Sequence, residues 1–166
     1  TYIFKHADCP VIILDDEKVY QSIASSLSAF EHLKTIIFVN GAKPQVPSNI
    51  TVYSLNEIIE KRNAAHAANP SRFADLGGRV AEDDLVTIIY TSGTTGNPKD
   101  VMHTQKSLAW EIWHVADGLP LISGVVTMGF LPPWHVAERL IESVALTKGV
   151  VIAFTSVATL AKDVQE

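Results

Sequence analysis

The sequence is poor in cysteine, in basic charge and in long apolar runs, and each shortage removes a class of protein. Cys9 is its single cysteine, so no disulfide can form within the chain. A lone thiol suits a reducing, cytoplasmic compartment better than an extracellular one, and its plainest role is that of a small buried hydrophobe. Lysine and arginine number 13 against 18 acids, for a net charge of −5. With no basic stripe, nucleic acid is not an expected partner. No apolar stretch approaches the roughly 20 residues that a membrane-spanning helix needs. The opening "TYIFKHADCPVIILDD" lacks the basic start, apolar middle and small-residue cleavage site of a signal peptide. A strand pattern arrives there almost at once with no initiating methionine, so the chain is expected to be a fragment of a longer protein.

What is present is an ordinary globular balance, 47% apolar and 19% charged over 166 residues, enough for one full core. Strand and helix signals alternate along it. "PVIILDD" (10–16) reads as a buried strand, and Val19, Ile23, Leu27, Phe30 and Leu33 recur at helical spacing over 17–32. "TIIFVN" (35–40) and "ITVY" (50–53) are further short strands, separated by the proline-containing loop "AKPQVPSN". Ser54 followed by Glu57 has the form of a capping box and opens a helix through about His66. Residues 69–84 read as a surface connection. Then come a strand at 85–90, a helix over 104–117, a strand at 125–131, a helix carrying Ala137, Leu140, Ile141 and Val144, a strand at 150–154 and a last helix from near Ser156. Such alternation predicts an α/β fold, layered, with a mainly parallel sheet flanked by helices. Ligands in such folds gather at the carboxyl ends of strands.

One stretch leaves such an end. "IIYTSGTTGNPKD" (88–100) packs Thr91, Ser92, Gly93, Thr94, Thr95 and Gly96 ahead of Lys99. Glycines there free the backbone to approach a ligand and to turn its N–H groups toward one anion, the hydroxyls are short donors, and the lysine is a mobile cation. Pro98 restricts Asn97 and stiffens the exit. The phosphate-binding chain implied is not the P-loop of nucleotide triphosphatases. That loop needs lysine directly after its second glycine, whereas Gly93 and Gly96 stand too close together and Asn-Pro precedes Lys99.

"YTSGTTGNPK" closely resembles the signature loop of adenylate-forming enzymes, the superfamily of acyl-CoA synthetases, luciferases and nonribosomal-peptide adenylation domains. "FLPPWHVAER" (130–139) resembles the corresponding segment of its long-chain fatty-acid branch. The resemblance implies a fragment of the large amino-terminal AMP-binding domain, with a phosphate loop at 90–100 and an acyl and adenylate pocket segment at 130–139. It implies fatty acid activation by ATP and Mg2+ to an acyl-adenylate, then transfer to coenzyme A. Thr91, Ser92, Gly93, Thr94, Thr95, Gly96 and Lys99 would hold the β- and γ-phosphates. His135 and Glu138 would serve the substrate pocket, with His135 the one candidate for a catalytic role.

The other partners implied are the rest of a longer chain and, for a long-chain enzyme, peripheral contact at the inner membrane, although no basic amphipathic helix supports that contact. No metal centre is expected from His135 and Glu138, since two ligands without a cluster do not make one. His6, His32, His66, His103 and His114 form no constellation, and Trp110 and Trp113 read as packing residues on a helix. The family's adenine segment, ribose-binding acid and carboxyl-terminal lysine domain find no counterpart here, so these residues alone are not expected to form a thioester.

Two departures bear on activity. Asp100 stands where the family has glycine, and Gln105 where histidine is frequent. A carboxylate about 6 Å from a phosphate charge costs ~0.7 kcal/mol in water and ~3 kcal/mol at an effective dielectric of about 20. The larger figure would weaken ATP binding roughly a hundredfold. The direction of the Asp100 side chain therefore decides that cost, and Asp100, Gln105 and the missing later motifs together motivate the alternative, a non-catalytic nucleotide- or anion-binding module of the same ancestry.

Overall fold

In the computed structural model, which describes residues 2–91 and 96–165, strand and helix alternate in two compact units, Thr1–Val80 and Ala81–Glu166. The first unit runs α1 (Tyr2–His6), β1 (Val11–Leu14), α2 (Glu17–Ile23), a 3-10 helix (Ala24–Ala29), β2 (Thr35–Phe38), β3 (Thr51–Ser54), α3 (Leu55–Ala68) and α4 (Arg72–Gly77). Its strands pair in parallel in the order β1-β2-β3, in register from Val11 opposite Thr35 and Thr35 opposite Thr51.

Burial alternates along these strands. Ile12, Leu14, Ile36 and Phe38 point into the core, while Ile13 is 64% exposed. The strand patterns predict burial on both faces; one face is enclosed by α2, the 3-10 helix and the chain that follows, while on the other Ile37 and Tyr53 are only half-buried, with Lys61 of α3 over the Tyr53 ring. The core is completed by Tyr20, Leu27, Phe30, Leu33 and Ile50.

The helix predicted over 17–32 starts as expected, with the Asp16 carboxylate accepting from the Val19 N–H at 2.9 Å. It stays α-helical only to Ile23 and tightens to 3-10 through Ala24–Ala29. The serines at 25, 26 and 28 compete for local backbone bonds and weaken the α-helix, and the tighter winding still buries Leu27. Val19, expected on the buried face, is exposed, and Tyr20 takes its place against Phe38. Cys9 is half-buried instead of enclosed. The connection over 69–84 holds the short exposed helix α4, and α1 precedes the first strand.

The second unit runs β4 (Leu85–Thr91), β5 (Lys99–Thr104), α5 (Gln105–Gly118), β6 (Val126–Gly129), α6 (Val136–Lys148), β7 (Val151–Phe154) and α7 (Leu160–Asp163). β6 and β7 pair in parallel, but β4 and β5 form an antiparallel hairpin. The fold is thus α/β with parallel strands flanked by helices and one antiparallel exception. That exception falls where the phosphate-loop motif lies.

Capping places both long helices that follow strands. The Ser54 box forms as predicted: the Glu57 N–H donates to Ser54 Oγ at 3.2 Å and the Ser54 N–H to Glu57 Oε2 at 2.7 Å. Thr104 and Ser107 make the equivalent box for α5. Gly149 ends α6 in the left-handed region at φ 68°, a conformation open to glycine at little strain.

Lys43 Nζ also donates to Glu57, at 2.7 and 2.9 Å. That bond first, then the one from the Ser54 N–H, lowers the Glu57 carboxyl from 4.5 to about 2. A carboxyl lowered in the folded state adds stability above its unfolded value, lost as pH falls through the folded one. Both partners are exposed, so the effect is small and screened by salt. Glu57→Gln should therefore lower the melting temperature modestly at neutral pH, with the difference from the parent shrinking below pH 4.5 and vanishing near pH 2. A difference that persists at pH 2 would assign the effect to packing or capping geometry instead of charge.

Candidate functional site

β4 delivers the motif. Ile89 is buried, Val86, Thr87, Ile88 and Tyr90 are half-buried, and the strand ends at Thr91. Ser92, Gly93, Thr94 and Thr95 lie outside the described residues. The chain re-enters at Gly96, whose φ of 112° is open to glycine and strained for a side chain. It then returns as β5, with Thr91 opposite Lys99 and Tyr90 opposite Asp100. The Thr91 hydroxyl donates to the Lys99 carbonyl at 3.4 Å and closes the base of the loop.

β5 was not anticipated from the sequence, which reads the region before Thr104 as the loop's exit. Its signal is weak: "KDVMHT" has only Val101 and Thr104 as β-branched residues. Pairing with β4 supplies what propensity does not.

The register fixes which face of the hairpin Asp100 occupies. Residues opposite one another in an antiparallel pair share a face, and successive residues alternate faces. Thr91 and Lys99 therefore share one face with Thr87, Ile89 and His103, while Asp100 and Tyr90 share the other. Asp100 is exposed and its φ is negative, so aspartate meets no backbone strain there. Among the described residues no carboxylate pairs with the exposed Lys99 ammonium. On the Lys99 face, the hairpin, α5 and α6 border an open cleft of about 290 Å3 lined by Thr87, His103, Glu111, Arg139, Glu142 and Ser143 among others.

The second motif begins where β6 ends. Gly129 makes its last sheet bond, its carbonyl accepting from the Thr155 N–H at 2.9 Å. The chain then leaves the sheet and turns, with the His135 N–H donating to the Pro132 carbonyl at 2.8 Å. Pro133 occupies the second position of that turn, where its fixed φ is favoured. His135 becomes the N-cap of α6: its Nδ1 accepts from the Ala137 N–H at 3.2 Å. Acceptance at Nδ1 puts the ring proton on Nε2, and the exposed ring leaves that N–H free to donate.

Glu138 faces inward and is 1% exposed. Its Oε2 accepts from the Leu131 N–H at 3.1 Å, and its buried Oε1 has no partner among the described residues. Arg139 reaches the other way, donating from Nη1 to Thr87 Oγ1 on β4 at 2.6 Å. The tie of Arg139 to β4 joins residues distant in sequence, and no local pattern announces it. Among the described residues no cluster of histidine, cysteine and acids could hold a metal. Trp110 and Trp113, expected to be packed, are about 60% exposed, and Trp110 stacks on His114 with ring centres 3.9 Å apart. α5 buries only Ala116 fully.

A Cβ at Gly129 would stand 2.8 Å from Glu138 Oε1, 3.0 Å from Phe154 Cδ1 and 3.1 Å from Ile152 Cγ2. Gly129→Ala should therefore destabilise the protein by about 1–3 kcal/mol, as overpacking does, measured by denaturant unfolding. A change within error would mean that the Glu138 side chain moves aside freely.

The profile of the AMP-binding enzyme family matches residues 1–166. The chloroplastic long-chain-fatty-acid–[acyl-carrier-protein] ligase AEE15 of Arabidopsis thaliana is 34% identical over 98% of this chain and 23% of its own length. Fatty acyl-CoA synthetase B of Dictyostelium discoideum is 29% identical over 94% of this chain and 23% of its own. The sequence thus spans about a quarter of the length of these relatives. In fold, it resembles the adenylation domain of a carboxylate reductase from Mycobacterium chelonae, with a TM-score of 0.66, 20% identity and coverage of 98% of this chain and 26% of that one. The glycine–hydroxyl loop carried on β4, the histidine-capped helix α6 and the family match over the whole chain agree: the protein belongs to the AMP-binding enzyme family and is most like its long-chain fatty-acid ligases.

Proposed function

We propose that the protein activates a long-chain fatty acid in two steps. Carboxylate attack on the α-phosphorus of ATP forms the acyl-adenylate and releases pyrophosphate; the sulfur of coenzyme A then forms the thioester and releases AMP. The observation that carries this reading is the hairpin that brings Thr91, Gly96 and Lys99 together at the end of β4. These residues suit a polyphosphate: a backbone free to turn its N–H groups, a short hydroxyl and a cation on one face. Ser92, Gly93, Thr94 and Thr95 belong to the same proposed cradle. Mg2+ would neutralise part of the phosphate charge when bound, and no residue here is assigned to it.

The first step asks the protein for positioning and charge stabilisation more than for covalent chemistry. Lys99 would hold the departing pyrophosphate. His135, with its proton on Nε2, would donate to an oxygen of the acyl-adenylate as negative charge develops. Thioester formation needs groups from the remaining length of the relatives, including the carboxyl-terminal lysine domain that the resemblance implies. Cytoplasmic location, with peripheral contact at the inner membrane, belongs to the same proposal; it rests on the single cysteine and the long-chain resemblance. No helix of the described residues is long and apolar enough to cross a membrane.

The placement of Asp100 favours the ligase over a non-catalytic anion-binding module, because the carboxylate lies on the face opposite Lys99. In the full-length protein, fatty-acid-dependent exchange of pyrophosphate into ATP tests the first step. Lys99→Ala should raise KM for ATP about 10- to 100-fold, the loss of a charge-assisted bond worth about 1.5–3 kcal/mol. His135→Asn keeps an N-cap, so the melting temperature should hold while exchange falls about 100-fold. Mg·ATP binding without exchange for any fatty acid would transfer the assignment to the non-catalytic module.

Asp100→Gly should leave KM for ATP within about twofold, as expected of an exposed charge screened from the phosphates. A tenfold fall in KM would place the carboxylate beside them after all. Because one relative is named for acyl-carrier protein, the second step should be assayed with both that thiol and coenzyme A.

A further inference from the structure

Glu138 is the one fully buried charged side chain among the described residues, and its bonding explains little of the stability it takes away. A carboxylate removed from water needs several donors to recover its hydration. Here Oε2 has the Leu131 N–H, and Oε1 has none. The site around it is also restrictive, since Oε1 occupies the space above Gly129 where any Cβ would collide. Such an arrangement is poorly suited to stabilisation and well suited to holding something in place.

What it holds is the turn that carries His135. Gly129 makes the last sheet bond, so the Leu131 amide emerges without a strand partner. An unpaired amide there would leave the chain between β6 and α6 free to shift. Glu138, one turn into α6, reaches back and takes that amide. The segment is then pinned at Leu131 by Glu138, and at its far end by the turn from Pro132 to His135 and the cap on Ala137. The adjacent Arg139 ties α6 to Thr87 on β4, the strand that ends at Thr91. Neighbouring residues of one helix turn thus anchor the histidine segment and the phosphate strand to the same body.

We propose that Glu138 is a positioning residue: through the Leu131 amide it holds the Leu131–His135 turn, and with it the His135 imidazole, in register with β4. This role rests on the adenylation reading above and replaces direct substrate contact for Glu138. Its carboxylate is enclosed, whereas the His135 ring is exposed.

The test uses the full-length protein with Glu138→Ala, Glu138→Gln, His135→Ala and the double variant Glu138→Ala/His135→Ala. Pyrophosphate exchange and hydrogen exchange at Leu131 are both measured. Glutamine keeps an oxygen for the Leu131 amide and removes the buried charge, so it should melt no lower than the parent and retain most of the exchange rate. Alanine leaves the turn loose. It should lower kcat about 10- to 100-fold with KM for fatty acid nearly unchanged, the scale of a misplaced catalytic group. Leu131 should exchange its amide hydrogen faster in the alanine variant than in the glutamine variant.

If Glu138 acts through His135, its removal should add little once His135 is gone. Fully additive losses, a glutamine variant as impaired as alanine while folded, or a rise confined to KM for fatty acid would each overturn the positioning role. A parent that shows no exchange with any fatty acid would overturn the adenylation reading instead. In that case the amide exchange at Leu131 still decides whether Glu138 holds the turn.

Discussion

The register of the β4–β5 hairpin is the constraint on which the site depends. With Thr91 opposite Lys99, the residues that flank the glycine–hydroxyl stretch are held side by side. The same register puts Lys99 and Asp100 on opposite faces. A shift of one residue would exchange them and turn a carboxylate toward the cleft. Strand alternation thus sets Asp100 apart from Lys99 although the two are neighbours in sequence.

The second motif depends on the first through α6. Arg139 bonds Thr87 on β4, and Glu138 bonds the amide that follows β6. Position is thus passed along hydrogen bonds from strand to helix to turn. His135 combines two duties, capping α6 through Nδ1 and presenting Nε2 outward. The cap fixes the ring's tautomer and orientation, as a second partner on an imidazole commonly does.

Much of the architecture could be read in advance because its signals are local. Apolar runs bounded by Pro, Gly and acids gave the strands, and the Ser54–Glu57 capping box and Gly149 marked a helix start and a helix end at the positions observed. Where local signals were weak or conflicting, the reading failed in identifiable ways. "KDVMHT" looked like a loop exit because its strand character comes from pairing with β4. The helix expected through residue 32 lost its α-form at a serine cluster. Trp110 and Trp113 looked like core residues, since size and apolarity are visible in sequence and the presence of a packing partner is not.

By itself the sequence pointed to the family and to the α/β class, because "YTSGTTGNPK" and "FLPPWHVAER" are local motifs and the strand and helix signals are local too. Only the tertiary structure decided the direction of each side chain. Asp100 lies on the face opposite Lys99, and Glu138 is enclosed while His135 is exposed. Both distinctions arise from pairing and packing between residues far apart in the chain, which composition and spacing do not encode.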